Sequence, residues 1–471
     1  MKKMTKVAVF ITASFAASSA SASDWNVTQA ASITVAAPSI TQGATTNVVS
    51  SNQAVNGIVL ATGDDLLTGS QTATIGSSAG IVLTQGGNVD SSNQAINLIQ
   101  ANGIGATSEI TQTVTQTGTS TTALTQEDLD ATGGNVQAAN LSDATGNIVH
   151  LSQTYAESDS VALVQSSVVS AANTQGVNYA TAGDSIGNAT MGLTQSVTVT
   201  NAASFTQGAG NVGGNNVQVG NGAVAKGAMG AILNTVQTFT VSAANLDLTQ
   251  SAGSAGSNTQ AVNMISATGA NSTINTGTAQ TVTVTAGDTN FLQDTSSTDN
   301  TQAGNLANAA GDIDQLAQTF SASGANEVDF DQVPTAASNR QAGNMAALTG
   351  AGAITDILQV FTSSTTTTDL NQTSTSGTLI QAGNLIDLGT GSITDAGVTQ
   401  QFDALGGAVA MTQAGAATGN LQALNGIVYD NTGADSTVSQ ALTITATTFA
   451  MSQDAVTSSG QYGNFVGVKY N

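Results

Sequence analysis

The sequence predicts an all-β chain, a β-solenoid of about eleven imperfect repeats of about 41 residues with internal Gln/Asn ladders. Three observations predict it. The motif Gln-x-x-Asn returns at intervals of 38 to 43 residues, the mark of a stacked repeat rather than of separate domains. Two further glutamine series keep step with it inside every repeat. Composition agrees: 7% of residues are charged and 4% aromatic, with 51 Gly, 2 Pro and no Cys. An ordinary soluble domain is about 25% charged, and a disordered one couples low hydrophobicity with many charges or prolines. After the first 20 residues no apolar run is long enough for a membrane helix.

The first segment, residues 1–22, has the form of a secretory signal peptide. Lys2, Lys3 and Lys6 precede the mostly apolar stretch from Val7 to Ala17, and Ala20-Ser21-Ala22 supplies a small-x-small cleavage site. Residues 23–471 are expected to form a single β-solenoid repeat domain. Removal of the leader leaves Lys226, Arg340 and Lys469 against all 29 acids, a net charge of −26. Such a field repels nucleic acid and anionic lipid. No integral membrane segment remains. With no cysteine on an oxidising export route, burial and hydrogen bonds must hold the fold.

Within each repeat, the first predicted strand carries Gln29, Gln71, Gln112, Gln153, Gln195, Gln237, Gln280, Gln318, Gln359, Gln400 or Gln440. Two residues later stands an apolar residue each time, Phe239, Phe320, Phe361 and Phe402 among them. A spacing of two keeps side chains on one face of a strand, so this face is expected inside. The intervening Thr and Ser, as in Thr281, Thr283 and Thr285, point out. The second strand follows 12 to 14 residues on, at Gln42, Gln85, Gln126, Gln165, Gln207, Gln250, Gln293, Gln332, Gln372, Gln413 and Gln453. Here the apolar partner stands two residues earlier, and includes Phe205, Phe291 and Phe330.

The third element holds the motif itself, at Gln53, Gln94, Gln137, Gln175, Gln218, Gln260, Gln302, Gln341, Gln381, Gln422 and Gln461. A buried amide is costly unless donor and acceptor both find partners. Copies stacked in register at about 4.8 Å solve this, each carboxamide bonding the next. An offset of three puts Gln and Asn on opposite strand faces, so the Asn is expected at a corner, where its tolerance of left-handed backbone is useful. Glycine pairs such as Gly133-Gly134, Gly213-Gly214 and Gly406-Gly407 are expected at corners too. The remaining 16 to 20 residues vary most in length and are expected to form an arc with a less regular strand. Spacing alone does not decide between one layer per repeat and two. The termini, Ser23 to Thr28 and Val466 to Asn471, look like caps or adaptors, and Trp25 like a flexible terminal residue.

Catalytic chemistry has little to work with. His150 is the sole histidine, and no phosphate-binding loop, dinucleotide fingerprint or zinc spacing is present. Short acidic groups, Asp64-Asp65, Glu127-Asp128 with Asp130, Asp312 with Asp314, and Asp329 with Asp331, lack the spacing of a calcium loop. They read as solvated charges that discourage premature pairing of sticky strands. No cofactor and no metal is expected. A polysaccharide lyase or hydrolase on a parallel β-helix would need carboxylates clustered with several Arg or Lys. An ice-binding Thr face would need outward Thr in every coil, and they do not recur so regularly.

The repeats QAGNLANAAG at 302 and QAGNMAALTG at 341 resemble those of the curlin family of secreted bacterial functional amyloids. The likeness covers nearly the whole chain after residue 22, although curlin repeats are roughly half as long. In repeat length the chain is similar to the Fap-type amyloid subunits, without the C-terminal Cys pair usual in those. The resemblance implies a non-enzymatic, extracellular or cell-surface subunit of fibres in a biofilm matrix, from a Gram-negative type of envelope. Its partners would be other copies of itself, an outer-membrane export pore and a nucleator. The competing expectation is a monomeric surface adhesin that binds glycans or cells.

Overall fold

Extended segments with Thr and Ser on one face and Gln with apolar residues on the other can bury only the second face. The computed structural model describes residues 13–15 and 24–468 except 35–37, 43–47, 50, 61–63, 77–79, 87–88, 102–106, 130–133, 168–172, 210–214, 253–255, 286, 296–298, 325–326, 334–337, 375–376, 395–396, 416–417, 430–436 and 455–456. Among the described residues every strand pairing is parallel and there is no helix. Three sheets, of 12, 14 and 13 strands, run side by side along a solenoid. One is built from strands of the first Gln series, such as Thr278–Thr285. The second takes strands such as Thr289–Thr295, and the third the Gln-x-x-Asn strands, such as Ser338–Leu348.

Each strand pairs with its counterpart one repeat before and one repeat after, glutamine on glutamine. Gln280, for instance, lies between Gln237 and Gln318. One repeat therefore makes one layer, and eleven layers span roughly 50 Å at the usual strand spacing. The variable 16–20-residue stretch contributes short additional pairings, as where Ala231–Leu233 meets Thr273–Asn275. Gly406 and Gly407 turn the chain between strands Gly397–Ala404 and Ala408–Ala414. Gly133, Gly213 and Gly214 lie outside the described residues, as does nearly all of the 1–22 leader; only Ala13–Phe15 of it is described, beside Gly57–Val59. Trp25 is no loose end. It belongs to strand Asp24–Ile33 and packs against the apolar cluster that contains Leu66.

The motif's asparagine is not a corner residue. Asn97, Asn140, Asn178, Asn221, Asn263, Asn305, Asn344, Asn384 and Asn425 are all fully buried inside a continuous strand. The two-residue alternation is interrupted between the third residue of the motif and the Asn. In Ser257–Ala267, Asn258, Gln260 and Val262 face inward, and then Asn263, Ile265 and Ala267 do. Two consecutive inward residues bend the strand, and the third motif residue drops out of the ladder register in every coil. The bend divides the interior into two apolar clusters. One contains Val262, Tyr155 and the phenylalanines from Phe205 to Phe402; the other contains Ile265 and Ile313.

At the bend, side-chain sizes are matched within each coil. Where the motif reads Gln-x-Gly-Asn, the first strand of the next turn supplies Phe: Gly220 meets Phe239, Gly304 meets Phe320, Gly343 meets Phe361 and Gly383 meets Phe402. A Cβ on Gly343 would lie 2.2 Å from the Phe361 ring. Where the third residue is Val, Ile or Leu, its partner position is smaller or aliphatic, as for Val55 with Ala73, Val177 with Val197 and Val262 with Val282, while the small Ala139 is matched with Tyr155. Phe320, Phe361 and Phe402 then stack along the axis with centroids 5.1 and 4.9 Å apart and planes within 4°. Flat stacking of identical rings follows from the in-register layers, which give each ring the same orientation.

Candidate functional site

The inward glutamines form three ladders. In the first series each Nε2 donates to the Oε1 of the preceding coil at 2.7–2.9 Å. The second series does the same at 2.7–3.0 Å. So does the motif series, also at 2.7–3.0 Å. Gln207, Gln250, Gln332 and Gln413 of the second strand and Gln237, Gln280, Gln318 and Gln359 of the first are at most 2% exposed. Gln53, Gln94, Gln137, Gln175, Gln218, Gln260, Gln302, Gln341, Gln381 and Gln422 are at most 4% exposed. The remaining amide hydrogen reaches strand backbone, as when Gln260 donates to the carbonyls of Leu248 and Leu292. Phe205, Phe239, Phe291, Phe320, Phe330, Phe361 and Phe402 are buried beside them.

Sequence reasoning missed two asparagine ladders. The motif Asn donates from Nδ2 to the Oδ1 of the following coil at 2.8–2.9 Å. A second, partial ladder stands two residues before the motif Gln, where Asn216 donates to Asn258, Asn258 to Asn300 and Asn300 to Asn339. The signal was present in the sequence as Asn at Gln−2 in seven repeats. These ladders run opposite to the glutamine ladders, so the molecule has unlike ends. Among the described residues no later glutamine donates to the side-chain carbonyls of Gln440, Gln453 and Gln461, while Asn464 ends its ladder with an amide that donates to the Gln440 backbone carbonyl. Before the first coil the polarity is reversed.

The last coil is an open edge. Gln461 and Asn464 are exposed, and Leu442, Phe449 and Val466 are 38%, 43% and 49% exposed, although their counterparts in earlier coils are covered by the next layer. Unpaired parallel backbone, uncovered apolar side chains and unfilled amide rungs coincide there, a template for another strand layer.

The third sheet's bend also makes its outer face concave. Ala261, Met264, Leu306, Met345, Ile380 and Leu385 form a third buried cluster there, the floor of a groove along the axis. Two cavities open on it, of about 410 and 380 Å³. The first is lined by Arg340, whose Nη1 donates to Asp387 Oδ2 at 3.2 Å. The second is lined by Lys226 and Asp143; burial pushes the Asp143 carboxyl up and Lys226 pulls it down.

Two other carboxylates are perturbed. Glu157, 2% exposed, is pushed up to about 7 by burial, against the opposing effect of donors from Thr122 Oγ1 at 2.9 Å, the Asp159 amide and Tyr155 Oη at 3.0 Å. Asp329 is pushed up to about 7 by burial and then by Asp331, Glu327 and Asp369; Asp369 is its direct cross-strand neighbour. His150 lies in strand Ile148–Glu157, away from both groove cavities. Among the described residues no three His, Cys, Asp or Glu side chains converge to hold a metal.

Three comparisons stand beside this geometry. No family model, no curated protein and no solved structure matches this chain.

Proposed function

We propose that this chain is a secreted structural subunit of extracellular amyloid-like fibres, non-enzymatic, which assembles by stacking end coils of successive copies. One observation carries the reading: the two ends are unlike and complementary. The last coil presents three glutamine carbonyls and one asparagine amide; a first coil presents one asparagine carbonyl and three glutamine amides, of which Gln29 and Gln53 already donate to strand carbonyls and can share those hydrogens with a ladder oxygen as the inner Gln260 does. Stacked head to tail, both sets are satisfied and the exposed Leu442, Phe449 and Val466 are covered. Head-to-head stacking would oppose like groups in all three glutamine ladders. Such a heterologous contact does not close and so propagates. The leader at residues 1–22 and the likeness to the curlin and Fap-type subunits support secretion through an export pore, with a nucleator, into a biofilm matrix.

Electron microscopy and fibre diffraction of the chain from residue 23 test this. Unbranched filaments with a reflection near 4.8 Å are expected. Leu442→Lys with Phe449→Lys should stop elongation and leave folded monomers, because a buried unpaired ammonium costs several kcal/mol. A chain that stays monomeric for days at high concentration, with circular dichroism unchanged, contradicts the reading and favours an adhesin.

A further inference from the structure

The groove on the bent sheet has chemistry that end-to-end stacking leaves unused. Only three basic residues follow position 22, and two of them, Lys226 and Arg340, line its two cavities. Arg340 is ion-paired with Asp387, and Lys226 lies close enough to Asp143 to pull its carboxyl down, so each cation has a carboxylate nearby that disfavours an anionic ligand. Each cavity also holds an oxygen with no hydrogen-bond partner among the described residues: Thr181 Oγ1 in one and Asn308 Oδ1 in the other. Thr181 is 7% exposed, and a hydroxyl buried to that degree without a partner costs about 1–3 kcal/mol.

We propose that this groove binds a linear, uncharged oligosaccharide along the solenoid axis. Four features select that class. Sugar hydroxyls can donate to Asn308 Oδ1 and exchange hydrogen bonds with Thr181 Oγ1, whereas an aliphatic chain would leave both unpaired. The floor, with Leu141, Tyr179, Leu306 and Met345, suits the apolar faces of sugar rings, and an aromatic side chain pairs an apolar body with a polar tip. A peptide strand would need free backbone, but this sheet's backbone is consumed by the parallel ladders on either side. The net charge of −26 repels a polyanion. Cavity volumes of about 380 and 410 Å³ lie within the range of small-ligand sites. Three coil steps, roughly 14 Å, separate Tyr179 from Leu306, so one extended ligand can reach both.

This inference does not rest on fibre formation, since the groove lies along the side and leaves both ends free. Calorimetric titration of the chain from residue 23 with cellohexaose, maltohexaose, mannohexaose and hexagalacturonate tests it. At least one uncharged hexasaccharide should bind saturably, and more tightly than hexagalacturonate. Thr181→Val and Asn308→Leu, one change in each cavity, should each weaken that binding about three- to ten-fold, the worth of one hydrogen bond. Neither variant should lower the thermal midpoint or impair filament formation, since each removes an oxygen that has no partner in the unliganded chain among the described residues. Absence of saturable binding by all three uncharged probes overturns the proposal. So does tighter binding of hexagalacturonate, or affinity unchanged in both variants.

Discussion

Gly343 and Phe361 show how far a single residue's identity is dictated by the layer it occupies. The glycine has no special backbone angle to excuse it; the ring of Phe361 fills the space where its side chain would stand. Interiors are packed closely enough that one added methyl forces rotamer or backbone shifts worth about 1–3 kcal/mol. Gly343→Ala should therefore destabilise the chain by about that amount. Combined with Phe361→Val, which makes room, it should cost less than the sum of the two single changes, as a thermal or denaturant double-mutant cycle would measure. Strict additivity would mean that the two residues do not share that space.

At the scale of a strand, Ile148–Glu157 carries a carboxylate into the interior. Among the first strands, the position four residues after the Gln is apolar in most coils, as in Val199 and Val241, but here it is Glu157. Its folded pKa of about 7 exceeds its ordinary value near 4.3, so the folded state holds the proton more tightly. That contribution to stability is fully present below about pH 4.3 and is lost as pH rises through 7. Asp329, raised for the reasons given above, acts in the same direction on a more exposed strand. The thermal midpoint should fall between pH 5 and pH 8, and Glu157→Gln should flatten that fall. An unaltered pH slope in the variant would contradict the assignment.

The strand scale also marks what the sequence made legible. Three glutamine series run in step, and the first two, each two residues from an apolar position, report which face is inside, because the two-residue alternation holds through the first and second strands. It fails in the third, where the motif spacing of three was read as a corner. The missing fact was the bend, which lets Gln260 and Asn263 both face inward. A trace of it was visible: apolar or small residues recur two and four positions after the Asn, as Ile265 and Ala267 or Ala307 and Ala309, a new alternation that starts from the Asn. The groove could not be read at all, because its concavity exists only once the strand is bent.

Over the whole molecule, a low charge density and the absence of disulfides place the load on repetition. Each coil's amides are satisfied only by its neighbours, so stability is expected to follow nearest-neighbour coupling along the stack. The same arrangement leaves the last coil unsatisfied, and the net negative charge opposes encounter of two copies until their ends are aligned. What holds the stack together is the locking of glutamine and asparagine carboxamides in a dry interior from coil to coil. Hydrogen exchange of their side-chain amide protons, followed by NMR on the chain from residue 23, tests it most directly. The account predicts slow exchange for the carboxamides of the inner coils, Gln237, Gln280, Gln318, Asn263 and Asn305 among them, and fast exchange for Gln461 and Asn464. Exchange of the inner carboxamides as fast as that of a solvent-exposed glutamine would contradict it.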